Sequence, residues 1–120
     1  MAEKQCNLLK NGGGMEQYST SEQIVGIWVD GKTRYRQEYH GTVSSSGATQ
    51  VSISVPSIDT LIKYEDAYID NRGSLSKAYY WSASDYFRTY IENGKLTVNV
   101  GSSYPQAPLR YVVIIEYTKQ

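Results

Sequence analysis

The amino-acid sequence predicts an all-β protein: an antiparallel β-sandwich of about eight short strands, with a jelly roll as one form of it. Three observations predict this. Segments such as Thr49 to Val55 alternate cleanly, with Val51, Ile53 and Val55 on one side and Gln50, Ser52 and Ser54 on the other, which is the period of a half-buried strand. Tight-turn signals recur between such segments, at Asp30-Gly31, Asp70-Asn71-Arg72-Gly73 and Asn93-Gly94. No heptad pattern and no internal repeat points to a coiled coil or a solenoid.

The totals narrow the function classes. A chain of 120 residues fits one domain with one core. Twelve lysines and arginines balance twelve aspartates and glutamates, so no net field draws phosphates or an anionic bilayer. Neither nucleic acid nor membrane insertion is expected, and no apolar run is long enough to cross a bilayer. Cys6 is the only cysteine, which rules out an intrachain disulfide framework and suits a reducing cytoplasm. Twelve tyrosines stand against one phenylalanine. Tyrosine joins an apolar ring to a polar tip, which suits interfaces and sugar sites, although it is also favoured in strands generally.

In chain order, Met1 to Gln17 reads as a flexible arm, because Asn11-Gly12-Gly13-Gly14 would lose much backbone entropy in a regular element. Within it, Cys6, Leu8 and Leu9 form a short segment able to anchor on a partner. Residues 18–120 form the sandwich. Tyr18 to Tyr39 predicts a β-hairpin around a two-residue Asp30-Gly31 turn. Gly41 to Gly47 reads as a loop, with His40 beside it at a strand end, and Pro56 closes the next strand. Ser57 to Asp70 fits a brief turn followed by a strand, and the aromatic segment Leu75 to Tyr90 two strands around Ser82 to Asp85. Lys95 to Gly101 follows the Asn93-Gly94 turn, and Gly101 to Leu109 is a loop. The last strand, Leu109 to Thr118, has Tyr111, Val113, Ile115 and Tyr117 on one face and Leu109, Val112 and Ile114 mostly on the other. Being apolar on both faces, it belongs at the centre of a sheet or against a neighbouring chain.

Both ends of this region carry a resemblance. Tyr18-Ser19-Thr20 with a following acidic residue, a short apolar run, Trp28, Asp30-Gly31-Lys32 and Tyr35-Arg36 resembles the opening of a C-terminal domain of bacteriophage and prophage structural proteins, found at the tips of tail fibres and in related appendages. The closing Val112-Val113-Ile114-Ile115-Glu116-Tyr117-Thr118-Lys119 is similar to the final strand of those domains, and Thr33 departs from the proline more usual there. The resemblance brackets Tyr18 to Lys119. It implies a virion part assembled in the host cytoplasm, usually a trimer, and implies no ligand by itself. With no fibre shaft in the sequence, a small particle decoration or a tip mounted on another protein is expected.

The residues offer little catalytic chemistry. One histidine and one cysteine on distant segments cannot form a tetrahedral zinc site or a Ser-His-Asp arrangement. Gly12-Gly13-Gly14 lacks the lysine of a phosphate loop. Two carboxylates would suffice for glycoside hydrolysis, but the clusters Glu65, Asp66, Asp70 and Asp85, Glu92 read as solvated turn residues. No cofactor and no enzymatic activity are expected. What remains is surface recognition by Tyr79, Tyr80, Trp81, Tyr86 and Tyr90, whose rings could stack on sugars while Asp85 and Arg88 bond to hydroxyls. Alternation sends about half of these rings into the core, and others suit a subunit contact. The expectation is a non-enzymatic virion protein, homotrimeric, binding a bacterial surface glycan; the alternative is a decoration or connector protein without a ligand, held to a capsid or tail protein by its arm.

Overall fold

The alternating segments become strands whose inward rows face each other across two sheets. The structure, a computed structural model, describes residues 20–43, 49–105 and 108–120. The expected arm with Cys6, Leu8 and Leu9, the first residues of the opening motif and most of the Gly41 to Gly47 loop lie outside the described residues. The strands are β1 (Gln23–Ile27), β2 (Thr33–Val43), β3 (Thr49–Ser54), β4 (Ile58–Ile69), β5 (Leu75–Ser76), β6 (Tyr79–Ser82), β7 (Asp85–Glu92), β8 (Lys95–Val100) and β9 (Leu109–Lys119). One sheet has the order β1-β2-β9-β4-β5 and the other β3-β8-β7-β6, with every neighbouring pair of strands antiparallel. The chain alternates between sheets from β2 to β4 and again from β8 to β9, so β8 lies beside β3 and β9 between β2 and β4. That nesting is roll-like, while β6, β7 and β8 form a simple meander.

The core follows from parity. Leu109, Tyr111, Val113, Ile115 and Tyr117 of β9 are buried against Phe87 of β7 and Leu96, Val98 and Val100 of β8. Each such side chain contributes roughly 1.5–3 kcal/mol by leaving water. Leu109 therefore belongs with the inward odd-numbered row, not on the outer face, and β9 does lie at the centre of its sheet. On the outer face Arg36 and Glu116 are both buried and paired, with Arg36 Nη2 2.8 Å from Glu116 Oε2.

Several local expectations are corrected. The first hairpin has a three-residue loop, Val29-Asp30-Gly31: Gly31 N–H donates to the Trp28 carbonyl, Trp28 N–H to the Lys32 carbonyl, and only Gly31 takes a positive φ, +88°. The Asp30 carboxylate accepts from Lys32 N–H, which fixes the negative-φ positions without a second glycine. Asn93-Gly94 is the true two-residue turn, with φ of 52° and 74°. Gly41 lies inside β2, because a glycine there leaves room for the Tyr111 ring across the strand. His40 is consequently a strand residue, its Nδ1 2.8 Å from Glu38 Oε2. Ile58 to Ile69 is one continuous strand without a preceding turn; two register shifts against β9 break the alternation that would have revealed it.

The two ends of the described chain meet. Tyr117 O–H donates to Glu22 Oε2 at 2.5 Å, and Lys119 Nζ lies 2.6 Å from Glu22 Oε1 and 4.4 Å from the Tyr35 ring centroid. Opening and closing segments are thus parts of one packed unit.

Candidate functional site

The site begins with an irregularity in β6. Tyr79 pairs with Phe87 and Tyr80 with Tyr86, and then the register shifts so that Ser82 faces Asp85. Trp81 is the extra residue of this bulge, and bulges re-aim side chains. Its indole is 82% exposed, at the mouth of a cleft of about 330 Å³. Tyr68, Tyr79, Tyr104 and Pro105 supply the rest of the apolar lining, and Asp70, Arg72 and Asp85 the polar lining.

Each wall is held by a different element. Tyr68 ends the inward row of β4, and its ring lies 6.2 Å from that of Tyr79 and 4.6 Å from that of Phe87. Tyr79 O–H donates to Asp85 Oδ1 at 2.5 Å. Burial, and then this bond to a carboxylate, push the Tyr79 phenol well above its ordinary range, so it remains a donor at neutral pH. Asp70 opens the turn into β5, where its Oδ1 accepts from Ser74 N–H at 3.0 Å and Arg72 N–H at 2.9 Å, while Oδ2 lies 3.1 Å from Arg72 Nη2. The Ser74 N–H bond foremost, with those from Arg72, holds this carboxyl below its usual value. Tyr104 is placed through the backbone: its carbonyl accepts from Tyr86 N–H at 3.1 Å, and Ser103 N–H donates to the Ser84 carbonyl at 2.7 Å.

Chemically, the cleft offers an exposed indole face beside phenol rings, two fixed carboxylates and one guanidinium. That set matches a pyranose, with apolar C–H faces for rings and hydroxyls for charged acceptors and donors. Asp70, held ionised by N–H donors, is no general acid at neutral pH. Among the described residues no group of three or more His, Cys, Asp or Glu side chains is placed to hold a metal ion.

No family model, curated protein or solved structure matches this chain.

The aromatic residues singled out in the sequence divide between two surfaces. Tyr79 and Trp81 line the cleft with Asp85, while Tyr80, Tyr86 and Tyr90 lie with Arg88 on the outer face of the β3-β8-β7-β6 sheet. Phe87, among them in sequence, is wholly buried. Sequence reasoning missed Tyr68, Tyr104, Pro105 and Arg72 as lining, and treated Asp70 as a solvated turn residue although its side chain is only 8% exposed. The turn signal was readable at Asp70; nothing local announces that Tyr104 comes beside it.

A second concavity, of about 280 Å³, lies on the outer face of the large sheet. Ala67, Ile69, Leu75 and Val112 give it aliphatic surface, with Glu38, His40 and Arg110 among its polar residues. It brings together none of the sequence-predicted aromatic residues.

Proposed function

We propose that this chain is a non-enzymatic structural protein of a bacteriophage virion, a trimeric fibre-tip or head-fibre-like domain, whose cleft at Trp81 binds a glycan of the bacterial surface. The observation that carries the glycan part is the cleft, where an indole 82% exposed stands beside Tyr79, Tyr104, Asp70 and Asp85. Exposed apolar side chains scattered singly need no explanation, whereas Trp81 is gathered with Tyr68, Tyr79, Tyr104 and Pro105 in a concave site with polar groups, the usual form of a ligand surface. The virion part rests on the resemblance at the two ends of the domain. Assembly has a suitable surface in β1, an edge strand on which Ile24 is 72% and Ile27 64% exposed, with Val29 in the adjoining turn. One shallow cleft binds weakly, and several copies on a particle turn later contacts into intramolecular ones.

The test is a multivalent display of the chain on an array of bacterial surface glycans, beside Trp81→Ala. Retention on at least one glycan, reduced about fivefold or more by the substitution, is expected, since one lost stacking partner is worth roughly 1 kcal/mol per site. Trp81 is exposed, so the variant should fold. No retained glycan, or equal retention by both proteins, contradicts the proposal.

A further inference from the structure

The outer face of the four-stranded sheet carries a second arrangement. Arg88 on β7 is exposed, and its guanidinium carbon lies 5.8 Å from the ring centroid of Tyr80, 5.5 Å from that of Tyr86 and 5.8 Å from that of Tyr90. The Tyr80 and Tyr86 rings are stacked, 5.4 Å apart and 20° from parallel. Tyr86 O–H donates to Asn99 Oδ1 at 3.3 Å, which ties that ring to β8. Three ring contacts hold a long side chain that would otherwise sample many rotamers, and each is an attraction between cation and ring quadrupole.

What Arg88 lacks matters as much. Arg36 and Arg72 each lie within 3.1 Å of a carboxylate, whereas Arg88 makes no ion pair among the described residues. A tyrosine ring contacts a guanidinium without supplying an oxygen acceptor, so the fork of N–H donors is left for a ligand. The neighbours in register are uncharged: Asn99 faces Arg88, Thr97 faces Tyr90, and Gln50 and Ser52 continue those rows on β3. Among the described residues this is a surface of rings, amides and hydroxyls around Arg88, with Glu92 and Lys95 in register at the far end of the same rows.

We propose that this tyrosine-framed arginine binds the carboxylate of a uronic acid within an acidic polysaccharide. The guanidinium fork matches a carboxylate with two parallel N–H···O bonds, the flanking rings accept the C–H face of the sugar, and Asn99, Thr97 and Gln50 suit its hydroxyls. A nucleic acid is the poorer fit, because phosphate backbones are held by several cations and this chain carries no net positive charge. The site is separate from the cleft, since Tyr79 and Trp81 turn to one side of β6 and Tyr80 to the other, and it stands whether or not the cleft binds a glycan.

The experiment is calorimetric titration of the full chain with oligogalacturonate and with glucuronate-containing oligosaccharides, each beside its methyl-ester form. At least one acid series should bind, with affinity reduced about tenfold by esterification and by Arg88→Gln, in keeping with the loss of a charge-assisted pair. Arg88→Lys should lose most of the affinity, because a point charge lacks the fork. Trp81→Ala should bind the acid series as the unaltered chain does, which separates this site from the cleft. Four results would each overturn the proposal: no binding of either acid series, unchanged binding by Arg88→Gln, unchanged binding by Arg88→Lys, or equal affinity for inorganic polyphosphate.

Discussion

Trp81 stands at the mouth of the cleft because one residue too many lies between Tyr80 and Ser82. Strict alternation would have paired it like its neighbours, and the bulge turns it out instead. Alternation sends about half of these rings inward without saying which, and it gives no sign that Trp81 would be the most exposed ring of the set. Asp70 shows the opposite limit: its turn was legible, its burial was not, because burial depends on Arg72 and Ser74 folding back over it. A pH prediction follows for these side chains. The folded Asp70 carboxyl lies below its ordinary value of 3.8, so its contribution to the turn is complete above that value and is lost as pH falls through the lower folded value. Tyr79 is raised above 10.0, so its donor is lost only in alkali beyond that point. Glycan affinity at the cleft should therefore show no Asp70-linked loss from neutral pH down to the ordinary carboxyl value of 3.8 and fall only at pH below it, as titration of glycan binding at fixed ionic strength would show.

At the scale of elements, three segments converge at Gly101. A Cβ built there would meet the Ser84 carbonyl oxygen at 2.7 Å and the Tyr104 carbonyl oxygen at 2.9 Å, both backbone atoms. Gly101 N–H also donates to the Tyr86 carbonyl, so the end of β8, the β6–β7 turn and the Tyr104 segment are locked together. Gly101→Ala should destabilise the fold by about 1–3 kcal/mol through overpacking, and should weaken glycan binding by moving Tyr104 relative to Asp85. Thermal unfolding and glycan titration of the same variant would check both effects; a variant as stable and as tight as the original would refute this role. Element types were readable wherever alternation was clean, as in β3 and β8. In β4 the strand was readable but its start was taken for a turn, because two register shifts displace the apolar residues there, and Gly41 reads as a loop until the Tyr111 ring is seen against it.

For the whole molecule, two stacked sheets and one core were legible from parity and turns alone, because a period of two fixes which residues can share a face. Which strands become neighbours was not. The cleft is made by β4, β6, β7 and the segment before β9, and only the pairing order brings Tyr68, Trp81 and Tyr104 together. The same order leaves β1 at an edge with its isoleucines uncovered, and places Arg88 and its three tyrosines on a face the core does not use. The proposed function and the proposed arginine site each rest on one of these surfaces, and the cleft carries the central proposal. The chain has two tryptophans, so Trp28→Phe leaves Trp81 as the sole indole reporter. The measurement is quenching of its fluorescence by iodide, with and without purified host-surface polysaccharide. Glycan stacking predicts an indole open to the quencher when free and shielded when polysaccharide is bound; full accessibility while the protein is demonstrably bound would contradict a role for the cleft.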